Sequence, residues 1–186
     1  MTTTTTDVQF PGLVAGTWTI DQAHSEVGFT VRHLMSKVRG LFTTFEGELH
    51  ISENPLESTA HATIDLSSVD TRNKDRDNHL RSSDFFSVDE GSSMTFTTTG
   101  LSLAGNDIQA TGDLTIKGVT KPVTLAVEFL GVDVDAYGNT RVGLEATTTI
   151  SRKEWGITFN VPLEGDRLMI GDTVNVIIAV EAVRRT

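Results

Sequence analysis

The sequence contains no cysteine. It therefore cannot form a disulfide framework or a thiolate metal site, and it has no cysteine nucleophile. Positive charge is also scarce, because 15 lysines and arginines stand against 25 aspartates and glutamates and leave a formal net charge of −10. Proteins that bind nucleic acid present a basic surface to the phosphate backbone, so we expect no nucleic-acid partner.

Long apolar runs are missing as well. Nowhere do 18 apolar residues follow one another, so the sequence predicts no integral membrane segment. Residues 1–7 form a threonine run with neither the basic nor the apolar region of a signal peptide, which predicts a cytoplasmic protein. A length of 186 residues suits one domain. Residues 1–16 show no sustained period and are interpreted as a flexible tail, which either docks on the domain or does not.

Two-residue alternation of apolar and polar residues dominates the rest of the chain. Val27, Phe29, Val31 and His33 share one parity, for example, with glycine, threonine and arginine between them. Such alternation is typical of half-buried strands. It recurs in segments 27–33, 45–51, 60–66, 94–103, 108–116, 123–134, 142–150 and 174–180, within a total of about nine strands. Only 72–83 has helical character, and a change of phase at 130–131 predicts a bulge.

Long strands joined by short turns expose unpaired edges unless the sheet closes. Several segments span roughly 12 to 16 residues and so reach about 40–50 Å, well beyond an ordinary strand. The sequence therefore predicts an all-β fold, an extended antiparallel β-barrel of about eight strands with one short helix. Such a barrel has room for one small ligand. The many glycine, alanine and threonine residues at inward positions predict an apolar tunnel rather than a filled core.

Patterns typical of catalysis and metal binding are absent from the sequence. Parity places His50 and His61 on polar strand faces, whereas His33 continues an inward face to the end of a strand. No two histidines have the spacing of recurring metal motifs, and no Gly-x-Ser-x-Gly, His-Glu-x-x-His or phosphate-loop motif occurs. We therefore predict no catalytic residue, no metal site and no cofactor.

Positive charge is concentrated in two short segments. Three cations lie between residues 32 and 39, in a stretch without acids, and four more lie within 72–81. If both segments lie at one end of the barrel, they form a positive mouth for a phosphate or another polar head group. Alternatively, 72–81 is a solvated helix whose cations Asp75 and Asp77 partly neutralise.

Five segments of the chain, taken in order, resemble a known family. The sequence reads Trp-Thr-Ile-Asp-Gln-Ala-His-Ser at 18–25, Val-Arg-His-Leu-Met at 31–35 with Val-Arg-Gly-Leu-Phe at 38–42, and Asn-His-Leu-Arg-Ser-Ser-Asp-Phe-Phe at 78–86. Gly-Asp-Leu-Thr-Ile-Lys-Gly-Val-Thr-Lys-Pro follows at 112–122 and Ser-Arg-Lys-Glu-Trp-Gly-Ile at 151–157. Together they resemble the YceI-like, polyisoprenoid-binding family of bacterial lipocalin-like proteins, over most of the chain.

The resemblance implies a lipocalin-like, ligand-binding barrel over residues 17–186 that holds a long isoprenoid chain or another amphiphile. It implies no established catalysis, and a homodimer, because family members often pair. The matched motif residues are His24, Ser25, Arg32, His33, His79, Leu80, Phe85, Phe86, Arg152 and Trp155. Such residues either contact the ligand or stabilise the fold. In the second case, His79, Leu80 and Arg152 pin the helix to the barrel.

The predicted site combines strand parity with this resemblance. The residues expected to line the tunnel are Val27, Phe29, Val31, Phe42, Phe45, Leu80, Phe85, Phe86, Phe96, Leu114, Val127, Phe129, Leu144, Trp155 and Phe159. The residues expected at its mouth, near a head group, are His24, Arg32, His33, Arg76, His79 and Arg152.

The leading hypothesis is non-enzymatic binding, sequestration or transport of a long-chain isoprenoid, such as a polyprenyl or quinone-like molecule, or of another amphiphilic lipid. One alternative is a hydrolase that modifies isoprenoids or lipids with His33 or His79 as its base. Another is a stress-related protein with a filled barrel, which binds partners through its acidic exterior.

Overall fold

Strands make up most of the described chain, which comprises residues 10–88, 92–105 and 107–186 of a computed structural model. The strands are β1 (Gly16–Ile20), β2 (Glu26–His33), β3 (Ser36–Phe42), β4 (Phe45–Ile51), β5 (Thr59–Asp65), β6 (Val69–Asp70), β7 (Ser93–Ala104), β8 (Asp107–Ile116), β9 (Val119–Val134), β10 (Thr140–Ser151) and β11 (Ile170–Arg184). Helix α1 (Lys74–Arg81) lies between β6 and β7. Short 3-10 turns occupy Gln22–His24, Pro55–Glu57, Leu66–Ser68 and Arg152–Trp155. The predicted all-β class with one short helix is confirmed.

The sheet closes into a barrel of eight antiparallel strands. Their order is β1-β4-β5-β7-β8-β9-β10-β11, and the pairing of β1 with the end of β11, for example of Ile20 with Ala182, completes the ring. Nearer its start, β11 also pairs with β2, and β3 and β6 continue from β2 outside the ring. The predicted extended barrel of about eight strands is confirmed. Closure pairs the edges that long strands otherwise expose.

The two ends of the barrel differ. At one end, which we call the helix end, the chain passes from β5 to α1, from β2 to β3, and from β10 through residues 152–169 to β11. At the other end, which we call the N-terminal end, lie the start of β1 and the connection between β4 and β5 with its turn at Pro55–Glu57.

Local sequence predicts most elements but not all of them. The bulge predicted at 130–131 is present, because Gly143 pairs with Gly131 and Leu144 with Phe129, which leaves Leu130 without a paired residue in the ladder. Strand β3 is not predicted, since glycine interrupts its inward parity. The predicted helix over 72–83 is shorter in the structure, because the side chain of Asn73 caps its first turn by accepting a hydrogen bond from the backbone N–H of Arg76.

The fully buried side chains form two clusters toward opposite ends of the barrel. The cluster at the helix end includes Phe45, Ile116 and Trp155, and the cluster at the N-terminal end is built on Trp18 and Val142. Many inward-facing residues between the two clusters are only half-buried. The barrel is thus packed toward its ends and open between them.

Part of the segment interpreted as a tail packs on the N-terminal end of the barrel. Phe10 is buried, and its ring meets that of Phe129 edge-on at 5.3 Å. The indole N–H of Trp18 donates a hydrogen bond to the carbonyl of Val14. Of the two alternatives for this segment, docking therefore holds for residues 10–15, and residues 1–9 lie outside the described part. Among the described residues, no helix is long and apolar enough to cross a membrane.

Arg141 joins three carboxylates on the outside of the barrel. Its guanidinium donates hydrogen bonds to Asp21 and Asp135, both at 2.7 Å, and to Glu181 at 3.0 Å. The hydrogen bond from Arg141, followed by that from His24, lowers the pKa of Asp21 from its usual 3.8 to about 2. The hydrogen bond from Arg141 also lowers the pKa of Asp135. Arg141 thereby ties the turn after β1 to β10 and β11.

These lowered pKa values predict a loss of stability in acid. A carboxyl whose pKa is lower in the folded state stabilises the fold above its unfolded-state pKa, and this stabilisation is lost as the pH falls through the folded-state pKa. We therefore expect the free energy of unfolding, measured in urea, to fall between about pH 4 and about pH 2. Replacement of Arg141→Met should lower stability at neutral pH and flatten this dependence. Arg185→Met, which removes a partner of Glu48 and Thr19 and leaves the Arg141 network intact, is the control; an equal flattening there would contradict the assignment.

Candidate ligand-binding cavity

A cavity of about 700 Å³ runs along the inside of the barrel. It extends from Phe10 and Leu13 at the N-terminal end to Arg76 and His79 at the helix end, and its wall is almost entirely apolar. This volume falls within the range of small-molecule binding sites. The geometry suits a long, slender apolar molecule rather than a compact polar one.

Every predicted tunnel residue lies on the wall of this cavity. The fifteen are Val27, Phe29, Val31, Phe42, Phe45, Leu80, Phe85, Phe86, Phe96, Leu114, Val127, Phe129, Leu144, Trp155 and Phe159. Parity identified the inward face because successive side chains of a strand alternate between the interior and the exterior of a barrel. Contact of these residues with a ligand stays a prediction.

Glycines make room for two of the rings. A Cβ built on Gly112 would lie 2.5 Å from Cζ of Phe96 and 2.6 Å from the carbonyl oxygen of Thr97, and one built on Gly40 would overlap the ring of Phe29. The two phenylalanine rings therefore lie over neighbouring strands of the wall. An alanine at either glycine would displace its ring, because real Cβ atoms do not approach so closely.

Parts of the wall are absent from the predicted set. They include Phe10 and Leu13 before β1, Pro55 and Leu56 between β4 and β5, and Val174, Val176, Ile178 and Val180 on β11. The alternation of apolar and polar residues along β11 could have identified its four residues as inward-facing. The other residues come from segments without periodicity, so only the tertiary structure brings them to the cavity.

Ionisable groups on the described wall belong to the helix end. They are Arg32, His33, Asp75, Arg76, His79 and Arg152. His79 is held in place by a 2.8 Å hydrogen bond between its Nε2 and Asp84, and its ring meets those of Phe85 and Phe159 edge-on at 5.0 and 4.9 Å. Arg76 donates hydrogen bonds to the hydroxyl and the carbonyl of Thr71. The half-exposed imidazole of His79 and the guanidinium of Arg76 are thus among the polar groups at the helix end of an apolar bore.

The cations of segment 72–81 were expected either at the mouth of the barrel or on a solvated helix, and the structure shows some of each. Arg81 donates to the carbonyls of Ser67 and Val69, so its charge fastens α1 to the chain before it. Arg72 and Lys74 are exposed to solvent, whereas Arg76 reaches the cavity wall. A single residue of this cluster therefore contributes positive charge to the wall.

Arg152 is buried in the wall and fastens a loop. Its side chain is 5 % exposed, and it donates hydrogen bonds of 2.9 Å to the carbonyls of Gly171, Ile157 and Phe159. Burial lowers the pKa of its guanidinium, and the charge of Asp172 opposes that shift. These bonds hold the chain after β10 against the start of β11. These three hydrogen bonds reach the loop and β11 rather than α1, which Arg152 was expected to pin in one of the two sequence alternatives.

His24 is not brought to the cavity. It lies in the exposed turn between β1 and β2, where its Nδ1 is 2.8 Å from a carboxylate oxygen of Asp21. The resemblance alone placed it among the head-group residues, and its role in the structure is to support the Arg141 network. Among the described residues, no group of three or more histidine, aspartate or glutamate side chains is placed to hold a metal ion.

Comparison with known proteins agrees with this architecture. The sequence profile of the YceI-like domain matches residues 18–182. A UPF0312 protein of Staphylococcus epidermidis is 45 % identical over 157 residues, which cover 83 % of this chain and 90 % of that protein. A UPF0312 protein of Staphylococcus aureus is 42 % identical over 160 residues, which cover 84 % and 91 %.

Solved structures show the same fold. The YCEI protein of Campylobacter jejuni has a TM-score of 0.69 at 32 % identity, over 89 % of this chain and 96 % of that one. BcnA of Burkholderia cenocepacia has a TM-score of 0.73 at 22 % identity, over 87 % and 98 %. A polyisoprenoid binding domain from Saccharophagus degradans has a TM-score of 0.68 at 18 % identity, over 90 % and 98 %. The matched profile and relatives, together with the closed barrel, show that this chain belongs to the YceI-like domain family.

Proposed function

We propose that this protein binds one long-chain isoprenoid, or another amphiphile with a similar tail, and that it does so without catalysis. One observation carries the proposal: the barrel encloses an apolar cavity of about 700 Å³ along its length. The neighbour from Saccharophagus degradans, a polyisoprenoid binding domain of the same fold, supports this class of ligand.

The distribution of polar groups orients the ligand. Because the ionisable groups on the described wall belong to the helix end, a polar head is stabilised there and the tail extends toward Phe10 and Phe129. Arg76 and His79 are two of the wall groups at this end that donate or accept hydrogen bonds. A ligand in the reverse orientation would bury its head among apolar side chains, without hydrogen-bond partners of this kind.

Burial of the tail supplies the affinity. Each methylene group removed from water contributes about 0.8 kcal/mol, so one five-carbon isoprene unit contributes roughly 4 kcal/mol before the costs of association. The affinity should therefore rise with chain length until the tail fills the cavity.

The hydrolase alternative has one contact in its favour, the hydrogen bond between His79 and Asp84, because a carboxylate orients an imidazole that acts as a base. Its signature would be turnover that His79→Ala abolishes. The cavity disfavours the alternative of a filled-barrel interaction protein. The cytoplasmic location and the homodimer stay predictions from the sequence.

The test is native mass spectrometry of the purified protein, with organic extraction and lipid analysis of what co-purifies. We expect one bound molecule per chain. For protein stripped of lipid, we expect tighter binding along the series geraniol, farnesol and geranylgeraniol, which differ by one isoprene unit. A protein that purifies without lipid and binds none of the three alcohols would refute the proposal.

A further inference from the structure

The hairpin between β2 and β3 presents apolar residues where a turn normally presents polar ones. His33 pairs with Ser36, so the loop consists of Leu34 and Met35 alone. Met35 is 97 % exposed and Leu34 is 46 % exposed. We call this two-residue loop the apolar tip. By contrast, the two-residue hairpin between β8 and β9 turns through Lys117 and Gly118.

The residue type at the first position of the apolar tip departs from turn preferences as well. Leu34 has a φ of 52°, in the left-handed region that favours glycine, asparagine and aspartate. The hairpin requires a positive φ at this position, and Lys117 has a φ of 53° in the other hairpin, but a leucine there is both strained and exposed. Neither packing nor turn preference explains that choice of residue. Residues that break local rules in this way are typical of functional surfaces.

A second exposed apolar residue belongs to the same surface. The backbone N–H of Leu34 donates a 2.9 Å hydrogen bond to the carbonyl of Met169, and the preceding residue, Leu168, is 52 % exposed. Met169 and His33 line the cavity. The apolar tip and Leu168 therefore stand beside the helix end of the bore.

Cations flank the apolar tip on an otherwise acidic protein. Arg32, Lys37 and Arg39 are exposed on β2 and β3, and Arg32 pairs with Lys37 across the hairpin. On the neighbouring loop, Glu164 and Asp166 outnumber Arg167, so the positive charge belongs to the hairpin. Exposed apolar residues with adjacent lysine and arginine are the combination that binds anionic lipid surfaces.

We propose that the apolar tip, with Leu168 and the flanking cations, docks the helix end of the barrel onto an anionic lipid bilayer. This inference rests on the proposed function, since docking there places the cavity beside the membrane from which an amphiphile is taken. Leu34 and Met35 enter the boundary between head groups and acyl chains, and Arg32, Lys37 and Arg39 contact anionic head groups. The net charge of −10 keeps the rest of the surface away from the bilayer.

The test is flotation of the full chain with vesicles of phosphatidylcholine alone or mixed with phosphatidylglycerol. We expect binding that rises with the phosphatidylglycerol fraction and falls with added salt. The double variant Leu34→Asn with Met35→Gly supplies a favoured turn sequence and should bind at least about tenfold more weakly while remaining folded. Lys37→Glu with Arg39→Glu should remove the preference for phosphatidylglycerol.

The matched control removes exposed apolar side chains from the N-terminal end. Val134 and Tyr137 are 58 % and 91 % exposed there, and Val134→Thr with Tyr137→Asn should bind vesicles like the unaltered protein. The proposal is overturned if the protein binds neither kind of vesicle, or if the tip and control variants lose binding equally. It is also overturned if the protein is a dimer that only the tip variant dissociates, since the occupant of this surface is then a second copy. Binding of geranylgeraniol in vesicle-free buffer separates these results from a failure of the proposed function.

Discussion

Val127→Asp is expected to abolish retention of the amphiphile. Val127 lies on β9, faces the cavity and pairs with Ile108 and Ala146 on the neighbouring strands. An ionised carboxylate at this position would be desolvated by the tail of the ligand without any hydrogen-bond donor to compensate. The affinity for geranylgeraniol, measured by native mass spectrometry or by fluorescence displacement, should fall at least about a hundredfold.

The adjacent residue provides the control for this experiment. Ala126 is exposed on the outer face of the same strand, so Ala126→Asp introduces the same charge one residue away without entering the bore. It should leave the affinity unchanged. If Val127→Asp folds, as judged by circular dichroism, and still retains the ligand, the inward face is not the binding surface. Equal losses in both variants would indicate an effect of charge on the whole protein rather than on the cavity.

Arg152→Met is expected to cause the largest loss of stability among the candidate site residues. It would leave the carbonyls of Gly171, Ile157 and Phe159 without their donor, the second in a buried position and the other two in partly buried ones. Each unsatisfied buried group costs about 1–3 kcal/mol, so the free energy of unfolding in urea should fall by about 3 kcal/mol or more. Arg152→Lys should not restore it, because a lysine presents one nitrogen where the guanidinium spans several acceptors.

Lys153→Met is the matched control, since it removes a neighbouring positive charge from an exposed position. It should change the free energy of unfolding little. The outcome also separates the two roles that the sequence left open for Arg152. A head-group residue would lose affinity at unchanged stability, whereas a residue that fastens the loop would lose stability first. Unfolding of Arg152→Met at the same urea concentration as the unaltered protein would contradict the second role.

The apolar tip and the cavity suggest a common use of the helix end. Arg76 and His79 stand on the cavity wall at the helix end, and the tip projects beside that end on β2 and β3. A protein that takes its ligand from a bilayer must transfer the apolar tail into the bore without exposing it to water. If both proposals hold, removal of the apolar tip should slow the uptake of ligand from vesicles and leave the affinity in vesicle-free buffer unchanged.

The fold was accessible from sequence because strand parity is a local signal. Successive side chains of a barrel strand point alternately to the interior and to the exterior. The parity of Val27, Phe29 and Val31 on β2 therefore indicates one face without knowledge of the partner strands. The same logic found Phe96, Val127 and Leu144 on three other strands. Strand β3 was not predicted because Gly40 interrupts the apolar parity of Val38 and Phe42, and the reason for that glycine, the ring of Phe29, lies on another strand.

The sequence by itself determined the all-β class, the barrel and the absence of cysteine chemistry, since each depends on composition or on a period of two residues. The same period predicted the face that lines the cavity. Only the tertiary structure decided which residues outside that period reach the cavity: Phe10 enters, His24 stays on the outside, and Arg152 binds three carbonyls rather than the helix. It also decided that Leu34 and Met35 project into solvent beside the helix end. The physical reason is that parity describes one strand at a time, whereas the packing of loops depends on residues distant in sequence.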